Sequence, residues 1–336
     1  ASSRSNILSY GVRQRFDISV GESGNIQTGF EYTLNQTLPL WINSTGEDVI
    51  VQRDVKYDFA HEASIFADYM FHKGIFGLKA GVKGTFWHNG GPMLSLDPRL
   101  SLSFDVAPKH TLTFHAGLDH QYLHKIAIFD CGLPGDFWTV ASKDLPSEMA
   151  ISTTLAYNWS STDDMWSIAA EVYGKRIFRT AKCAASVSSL VDKQYDYASA
   201  MCIGDGYNYG FDLTATKTRG IFKGYVSYSF CMAMRRFEKL GYYWIPADNT
   251  RRHNLNIVAT VNPWRNWNFG ASFVLATGTP YTAPRYSYIV ANRIIAQYSA
   301  YNANFLPLTH RLDISADWTV LNRGRHTLVI DLSVYN

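Results

Sequence analysis

The chain contains no run of 18 apolar residues, so it encodes no transmembrane helix. Charged residues make up 18% of its 336 residues, below the roughly 25% of soluble domains. The net charge of +3 is too small to predict nucleic acid as a partner. No signal peptide opens the chain, so an exported protein would be present here in a mature or trimmed form. Aromatic residues, in contrast, reach 15% and include 21 Tyr.

The dominant pattern of the sequence is an alternation with period two. From Tyr207 to Thr216, aromatic and aliphatic residues alternate with Asn, Gly, Asp and Thr. Successive side chains of a strand point to opposite faces, so this pattern predicts a strand with one apolar and one polar face. About fourteen such segments occur, mostly longer than the usual 5–6 residues of a globular strand. They span approximately 6–19, 26–38, 59–71, 75–87, 98–106, 111–122, 149–159, 165–178, 207–217, 221–234, 253–261, 267–277, 308–320 and 325–335.

The connections between these segments alternate between short and long. The short ones are 21–25, 72–74, 107–110, 160–164, 219–220, 262–266 and 321–325. The long ones are 39–58, 88–97, 123–148, 179–206, 235–252 and 278–307. Tight turns at one rim and long loops at the other are typical of outer-membrane barrels. The sequence therefore predicts an all-β fold, an antiparallel transmembrane β-barrel.

Charged and aromatic residues occupy the positions that such a barrel requires. Arg13, Arg15 and Asp17 share one strand face, which we expect to line the lumen, because a basic side chain in the middle of the bilayer costs about 2–4 kcal/mol. Aromatic residues near strand ends are expected to form the interfacial girdles. They are Tyr10, Trp87, Trp166, Tyr207, Trp264, Trp267 and Trp318.

The first and last connections, 21–25 and 321–325, are both short. Barrels of this class begin and end on the periplasmic side, so their first connection is a long external loop. We therefore expect both ends of this chain to lie at the outer face, with at least one strand missing at each end.

Several stretches resemble the barrel of TonB-dependent outer-membrane receptors, especially the Bacteroidetes type. They are DPRLSLSFDVAPKHTLTFHAGLDHQYLH (97–124), LPGDFWTVASKDLPSEMA (133–150), YNYGFDLTATKTRGIFKGYVSYSF (207–230), RRHNLNIVATV (251–261), ATGTPYTAP (276–284) and HRLDISADW (310–318). The resemblance implies a 22-strand barrel plugged by an N-terminal domain. Residues 1–336 would then be part of the barrel domain, about 14 of 22 strands, without the plug, the TonB box, the early strands and the closing strand.

The resemblance also implies the function and the partners. The chain would form the barrel wall and extracellular loops of an energised importer in the bacterial outer membrane. Its partners would be outer-membrane lipid, the TonB complex acting through the part missing from this chain, and a surface lipoprotein. The alternatives are a complete passive porin of about fourteen strands, an outer-membrane protease or phospholipase, and a soluble structural or adhesive β protein.

No group of residues predicts an enzyme, a cofactor or a metal site. His115, His120 and His124 lie on or beyond one strand, but alternation places His115 on the opposite face from His120. No metal-binding motif accompanies them. The glycines of 204–210 are not followed by a helix, so they do not form a dinucleotide loop.

The four cysteines all fall on the expected outer side. An exported protein passes through an oxidising compartment that permits disulfides. We predict a bridge between Cys183 and Cys202, with Cys131–Cys231 as a second one. Three pairings are open, as are free thiols.

Ligand contacts are expected from aromatic and basic residues of the long connections. These candidates are Phe137, Trp138, Tyr242, Tyr243, Trp244, Tyr286, Tyr288 and Arg293. Exposed rings suit sugars, haem-like rings and peptides equally well, and packing of loop on loop explains them too.

Overall fold

The computed structural model describes residues 2–44, 51–52, 57–127, 136–183, 201–241, 243–290 and 293–336. Fourteen long strands form one antiparallel sheet whose hydrogen-bonded order follows the chain. They are β1 (Ser2–Val20), β2 (Gly24–Ser44), β4 (Asp58–Lys73), β5 (Phe76–His88), β6 (Pro92–Ala107), β7 (His110–Gln121), β10 (Glu148–Ser160), β11 (Trp166–Cys183), β12 (Met201–Lys217), β13 (Phe222–Phe237), β15 (His253–Trp264), β16 (Trp267–Ala276), β21 (Thr309–Arg323) and β22 (His326–Val334).

Eight short strands lie within the connections. They are β3 (Val51–Gln52), β8 (Leu123–Ala127), β9 (Asp136–Val140), β14 (Ile245–Pro246), β17 (Pro280–Tyr281), β18 (Pro284–Val290), β19 (Arg293–Tyr298) and β20 (Asn304–Phe305). A single turn of 3-10 helix covers Glu238–Leu240. No helix in the described part of the chain is long and apolar enough to cross a membrane.

Each of the fourteen predicted segments corresponds to one long strand. The observed strands run further at the end of the sheet with the long connections, which we call the loop end. There β2 continues to Ser44, β11 continues to Cys183, and β12 begins at Met201. The sequence misses these extensions because the clear alternation of apolar and polar residues stops before the backbone pairing does.

The predicted long connection 88–97 is wrong, because strand β6 already begins at Pro92 and only residues 89–91 join it to β5. Leu94 is 82% exposed on the outward side and alternates with half-buried neighbours, as in the other strands. The prolines at 92 and 98 argue against a strand in the sequence, since proline has no N–H to donate to the hydrogen bonds between strands. Pro98 is tolerated because β7 pairs with β6 only from Arg99 onward.

The register gathers the polar side chains of all long strands on one face. One row across five strands reads Asp17, Gln27, Asp68, Gly81 and Arg99. The next row reads Ile18, Ile26, Tyr69, Ala80 and Leu100. We call these two sides of the sheet the polar face and the apolar face.

An ion pair on the polar face shows why one position of this row must be glycine. Arg99 Nη2 lies 2.5 Å from Asp68 Oδ2, and the Asp68 side chain is almost fully buried. A Cβ atom at Gly81 would overlap the Asp68 carboxylate. The missing side chain of Gly81 therefore lets the pair form across β5, which separates the two strands.

The hairpin of β8 and β9 shows that the sheet curves around its polar face. On one side, Trp138 N–H of this hairpin donates to Ser5 Oγ of β1 over 2.9 Å. On the other side, Lys125 and Asp136 of the same hairpin line a cavity together with Arg235 of β13. Because β1 and β13 lie far apart in the strand order, the sheet curls with its polar face inward.

Aromatic residues lie at the turn end of the sheet on the apolar face, as an interfacial girdle requires, and their place at a membrane interface stays a prediction. The Trp267 and Trp318 rings lie parallel with centroids 5.6 Å apart. Trp166 stacks under Lys217 Nζ at 5.2 Å. The same prediction is wrong for Trp87, which points to the polar face and is fully buried. The position of Trp87 at a strand end predicts a place at the membrane interface, but the strand register directs its side chain to the polar face.

Candidate ligand-binding site at the loop end

The long connection between β7 and β10 folds back over the polar face and packs on Trp87. The Trp87 ring stacks on Tyr122 with centroids 4.8 Å apart. Its Nε1–H donates to the Ala141 carbonyl over 2.9 Å. Ala60 of β4 and Val140 complete a buried cluster. This inward-folded segment, residues 122–127 and 136–147, therefore covers part of the concave face at the loop end.

A second cluster joins the end of β11 and two further connections around the ammonium of Lys182. This side chain is 5% exposed and lies 2.5 Å from Asp248 Oδ2. The Tyr301 hydroxyl contacts both Lys182 and Asp248. Asn302 Nδ2–H donates to Asp248 Oδ1 over 2.8 Å. A buried ammonium needs such partners because its desolvation is costly. The end of β11 and the connections after β13 and β16 thus meet at one point.

A cavity of about 250 Å³ lies between the inward-folded segment and the Lys182 cluster. Its charged lining comes from three basic and two acidic side chains, and the Tyr301 ring and the Thr180 hydroxyl border them. Those charged residues are Lys125, Lys182, Arg235, Asp136 and Asp248. Ligand pockets usually measure about 300–1,000 Å³, so this one suits the polar head of a ligand or a small molecule.

The described residues among the predicted aromatic contacts of 123–148 and 235–252 do not line this cavity. Phe137 is fully buried in the inward-folded segment, and Trp138 is half-buried. Trp244 packs on the apolar face against Tyr207, with ring centroids 4.7 Å apart. Tyr243 is exposed, and Tyr242 lies outside the described residues.

The predicted contacts of 278–307 stand on the separate hairpin of β18 and β19. Tyr286 is 67% exposed there, and Tyr288 is also exposed. Arg293 begins β19, but its side chain lies outside the described part. These residues remain predicted ligand contacts, and the structure does not bring the described ones together with the cavity.

The charged residues of the cavity were not predicted from the sequence. Lys182 and Asp248 occur in stretches rich in polar residues, where a charge ordinarily indicates a solvated loop. Arg235 carries a usable signal, because it continues the polar-face series of Ser227 and Ser229 at the same parity. A basic residue at the loop end of such a series points into the mouth of the curved sheet.

The three histidines do not converge on a metal site. His120 Nδ1 lies 2.5 Å from Asp97 Oδ1, whereas His124 is buried in the inward-folded segment. Within the described residues, no three His, Cys, Asp or Glu side chains are grouped so that they could hold a metal ion.

Burial of His124 lowers its pKa to about 4, although a hydrogen bond to the Pro146 carbonyl opposes the shift. His124 Nε2 has no hydrogen-bond partner, so a proton there would be buried without an acceptor. Since this pKa lies below the ordinary value of about 6.5, the loosened segment binds more protons between these two pH values. The packing of the inward-folded segment on the polar face is therefore complete above pH 6.5 and weakens as the pH falls toward 4.

At pH 5 we expect a loss on the order of 2 kcal/mol in the packing of this segment. Hydrogen exchange of residues 136–147 at pH 7.5 and 5, corrected for intrinsic rates, measures the effect. His124→Gln keeps a donor but does not titrate, so it should remove the pH dependence. His326→Gln, at the opposite rim, should keep it. Equal corrected protection at both pH values in the unsubstituted protein would contradict the assignment.

The predicted Cys183–Cys202 bridge joins neighbouring strand ends. Cys202 pairs with Lys182 and Cys183 pairs with Met201, so the two cysteines are one residue out of register. Both are buried. Cys231 lies opposite Gly210, and Cys131 lies outside the described residues. Both bridges stay predictions.

Thiol counting in denaturant without reductant tests both bridges. We expect no free thiol if both form and two if only Cys183–Cys202 forms. In the latter case Cys183→Ser should raise the count from two to three. Four free thiols in the unsubstituted protein would rule out both.

No protein-family model and no curated protein sequence matches the chain. Solved structures do match it in fold. The chain aligns with the FrpB iron transporter of Neisseria meningitidis with a TM-score of 0.65 and 12% identity, over 98% of this chain and 50% of that one. For the ferric-catecholate import receptor Fiu of E. coli K12, the TM-score is 0.64 and the identity 11%, over 99% and 50%. For the siderophore receptor PirA of Acinetobacter baumannii, the values are 0.64 and 9%, over 99% and 51%.

The chain therefore has the barrel fold of TonB-dependent outer-membrane receptors, and it spans about half the length of these solved structures. The polar face of the curved sheet corresponds to the lumen of such a barrel. The predicted fold class is confirmed, and the predicted likeness to this group is confirmed at the level of fold. The narrower likeness to the Bacteroidetes type stays a prediction.

Proposed function

We propose that this chain forms the barrel wall and external loops of a TonB-dependent importer in a bacterial outer membrane. One observation supports the proposal above the others. The two-faced sheet curves around its polar side, and its long connections fold over one end of the concave surface. A transport barrel needs a polar interior, an apolar exterior and a covered extracellular opening.

The distribution of charge on the apolar face supports contact with lipid. Along β12, Asp205 and Lys217 mark the two ends of an apolar stretch that runs from Tyr207 to Ala215. Twelve residues span about 40 Å along a strand, or about 28 Å across a bilayer at a tilt of 45°. That distance matches a hydrocarbon core of about 30 Å. Asp205 is ion-paired to Arg236 at the outer end, which suits a position among lipid head groups.

The remainder of the importer is also part of the proposal. In the described residues, β1 and β22 each pair with a single neighbour, so the fourteen strands leave two open edges. Open edges are not tolerated in lipid. Eight further strands would close a 22-strand barrel, and a plug domain would fill it. The TonB complex would act through that part, and a surface lipoprotein remains a predicted partner.

Deletion of the gene in its host tests this function. The similar structures are named as iron or siderophore receptors. Growth of the deletion strain is therefore compared with that of the parent first in iron-limited medium and then on single carbon sources. We expect the deletion strain to grow more slowly and complementation to restore growth. Collapse of the proton-motive force should abolish this restoration, because energised import requires the proton-motive force. Uptake that is insensitive to the uncoupler, together with steady single-channel conductance from the purified chain, would instead support a passive porin.

A further inference from the structure

We propose that the loop-end cavity binds the anionic group of its ligand, a carboxylate or a phosphate, through the guanidinium of Arg235. The proposal rests on the importer function above, since it names the chemical class of the ligand at that site. Three features of the cavity support this role: its balance of charge, the donors that Arg235 leaves unused, and the glycine beneath the Arg235 side chain.

The charges of the cavity leave one cation uncompensated. Lys125 Nζ lies 2.7 Å from Asp136 Oδ2, and Lys182 Nζ lies 2.5 Å from Asp248 Oδ2. Among the described residues, no carboxylate lies within ion-pair distance of Arg235. The five charged side chains therefore carry a net charge of +1, from three cations and two anions.

Both carboxylates of the cavity are already satisfied. Asp248 accepts from Lys182, Tyr301 and Asn302, whereas Asp136 is paired with Lys125. An incoming cation would have to break one of these pairs. An incoming anion would meet a guanidinium that no carboxylate of the described residues contacts directly, since Glu148 and Asp248 act on it only from beyond ion-pair distance. The cavity therefore favours an anion.

The Arg235 side chain has donors left for such a group. Its Nη1 donates to Asn208 Oδ1 over 2.7 Å and to the Met234 carbonyl over 2.9 Å. These two bonds fix the guanidinium, and they leave the Nε and Nη2 donors. A guanidinium offers its donors as a planar fork that matches the two oxygens of a carboxylate or phosphate. Lys182 and Thr180 line the same cavity.

A glycine on the neighbouring strand makes room for this arrangement. Gly206 pairs with Arg235 in the β12–β13 ladder. A Cβ atom at position 206 would lie 2.7 Å from Arg235 Cδ and 2.9 Å from its Nη1. Gly206→Ala would therefore displace the guanidinium without removing its charge, which offers a second way to test the site.

The probes are malonate and methylphosphonate, compared with malonamide, the neutral isostere of malonate. Saturation-transfer difference NMR on the full-length protein in non-ionic detergent detects binding in the millimolar range. We expect transfer to at least one of the two anions and none to malonamide. Transfer to malonate alone identifies a carboxylate site, and transfer to methylphosphonate alone identifies a phosphate site.

Arg235→Gln should weaken anion binding about tenfold or more, since a hydrogen bond to a charged group contributes about 1.5–3 kcal/mol. Gly206→Ala should weaken it as well, and Arg235→Lys should retain part of it. Arg265→Gln removes the same charge from a turn at the opposite rim and should leave binding unchanged. Thermal unfolding followed by circular dichroism confirms that each variant is folded.

Absence of transfer to both anions, or equal transfer in the Arg235→Gln and unsubstituted proteins, would overturn the inference. The outcome is separable from that of the growth experiment. Anion binding without any growth phenotype supports the anion site and contradicts the importer function. Uncoupler-sensitive import without anion binding supports the importer function and contradicts the anion site.

Discussion

Trp87→Ala is expected to detach the inward-folded segment, residues 122–127 and 136–147, from the polar face. The substitution removes the ring that stacks on Tyr122 and the Nε1–H that donates to Ala141. Truncation of a fully buried aromatic side chain costs about 3–5 kcal/mol. The amide of Ala141 reports on this packing, because it donates to the Tyr122 carbonyl over 2.7 Å. Its protection against hydrogen exchange should fall by about a hundredfold or more.

Two further variants separate the contributions of Trp87. Trp87→Phe keeps an aromatic ring beside Tyr122 but loses the hydrogen bond to Ala141, so we expect a smaller loss, about 1–2 kcal/mol. Trp264→Ala removes an indole that is exposed on the apolar face at the turn end, and Ala141 should then keep its protection. If Trp87→Ala leaves the Ala141 amide as protected as Trp264→Ala does, the segment is not held by this cluster.

The long strands could be predicted from the sequence because each of them repeats the same two-faced choice over ten or more residues. In the row of Asp17, Gln27 and Asp68, every residue is polar, and in the adjacent row of Ile18, Ile26 and Tyr69 none is charged. A slip of one residue would move charged side chains to the apolar face along a whole strand, so the pattern determines the register.

The loop end could not be predicted in the same way, because its geometry depends on contacts distant in sequence. Lys182 is buried only because Asp248 and Tyr301 arrive from two later connections. Trp87 is buried only because Ala141 returns from a loop 54 residues away. No local sequence pattern indicates such contacts between residues distant in sequence. The exposed aromatic residues of the long connections predict ligand contacts, whereas the lining of the cavity includes five charged side chains that no local pattern indicates.

Lys182→Met is expected to loosen two external connections at once. Ala247 N–H donates to the Ala233 carbonyl in the connection after β13, and Asn302 N–H donates to Thr282 Oγ1 in the connection after β16. The methionine keeps the length of the side chain but leaves Asp248 with neutral donors.

Loss of a charged partner costs about 1.5–3 kcal/mol, and the partial exposure of Asp248 places the effect at the lower end of that range. Exchange at both amides should therefore accelerate by about tenfold.

The matched control is Lys125→Met, which breaks an ion pair whose two side chains are about half exposed. Exposed pairs contribute only about 0.2–1 kcal/mol, so exchange at Ala247 and Asn302 should hardly change. In Lys182→Met/Asp248→Asn the uncompensated carboxylate is absent, and exchange should be slower than in Lys182→Met alone. A response of only one amide would show that the two connections are ordered independently. The buried ammonium would then belong to a single loop, and the cavity beside it would lack a common support.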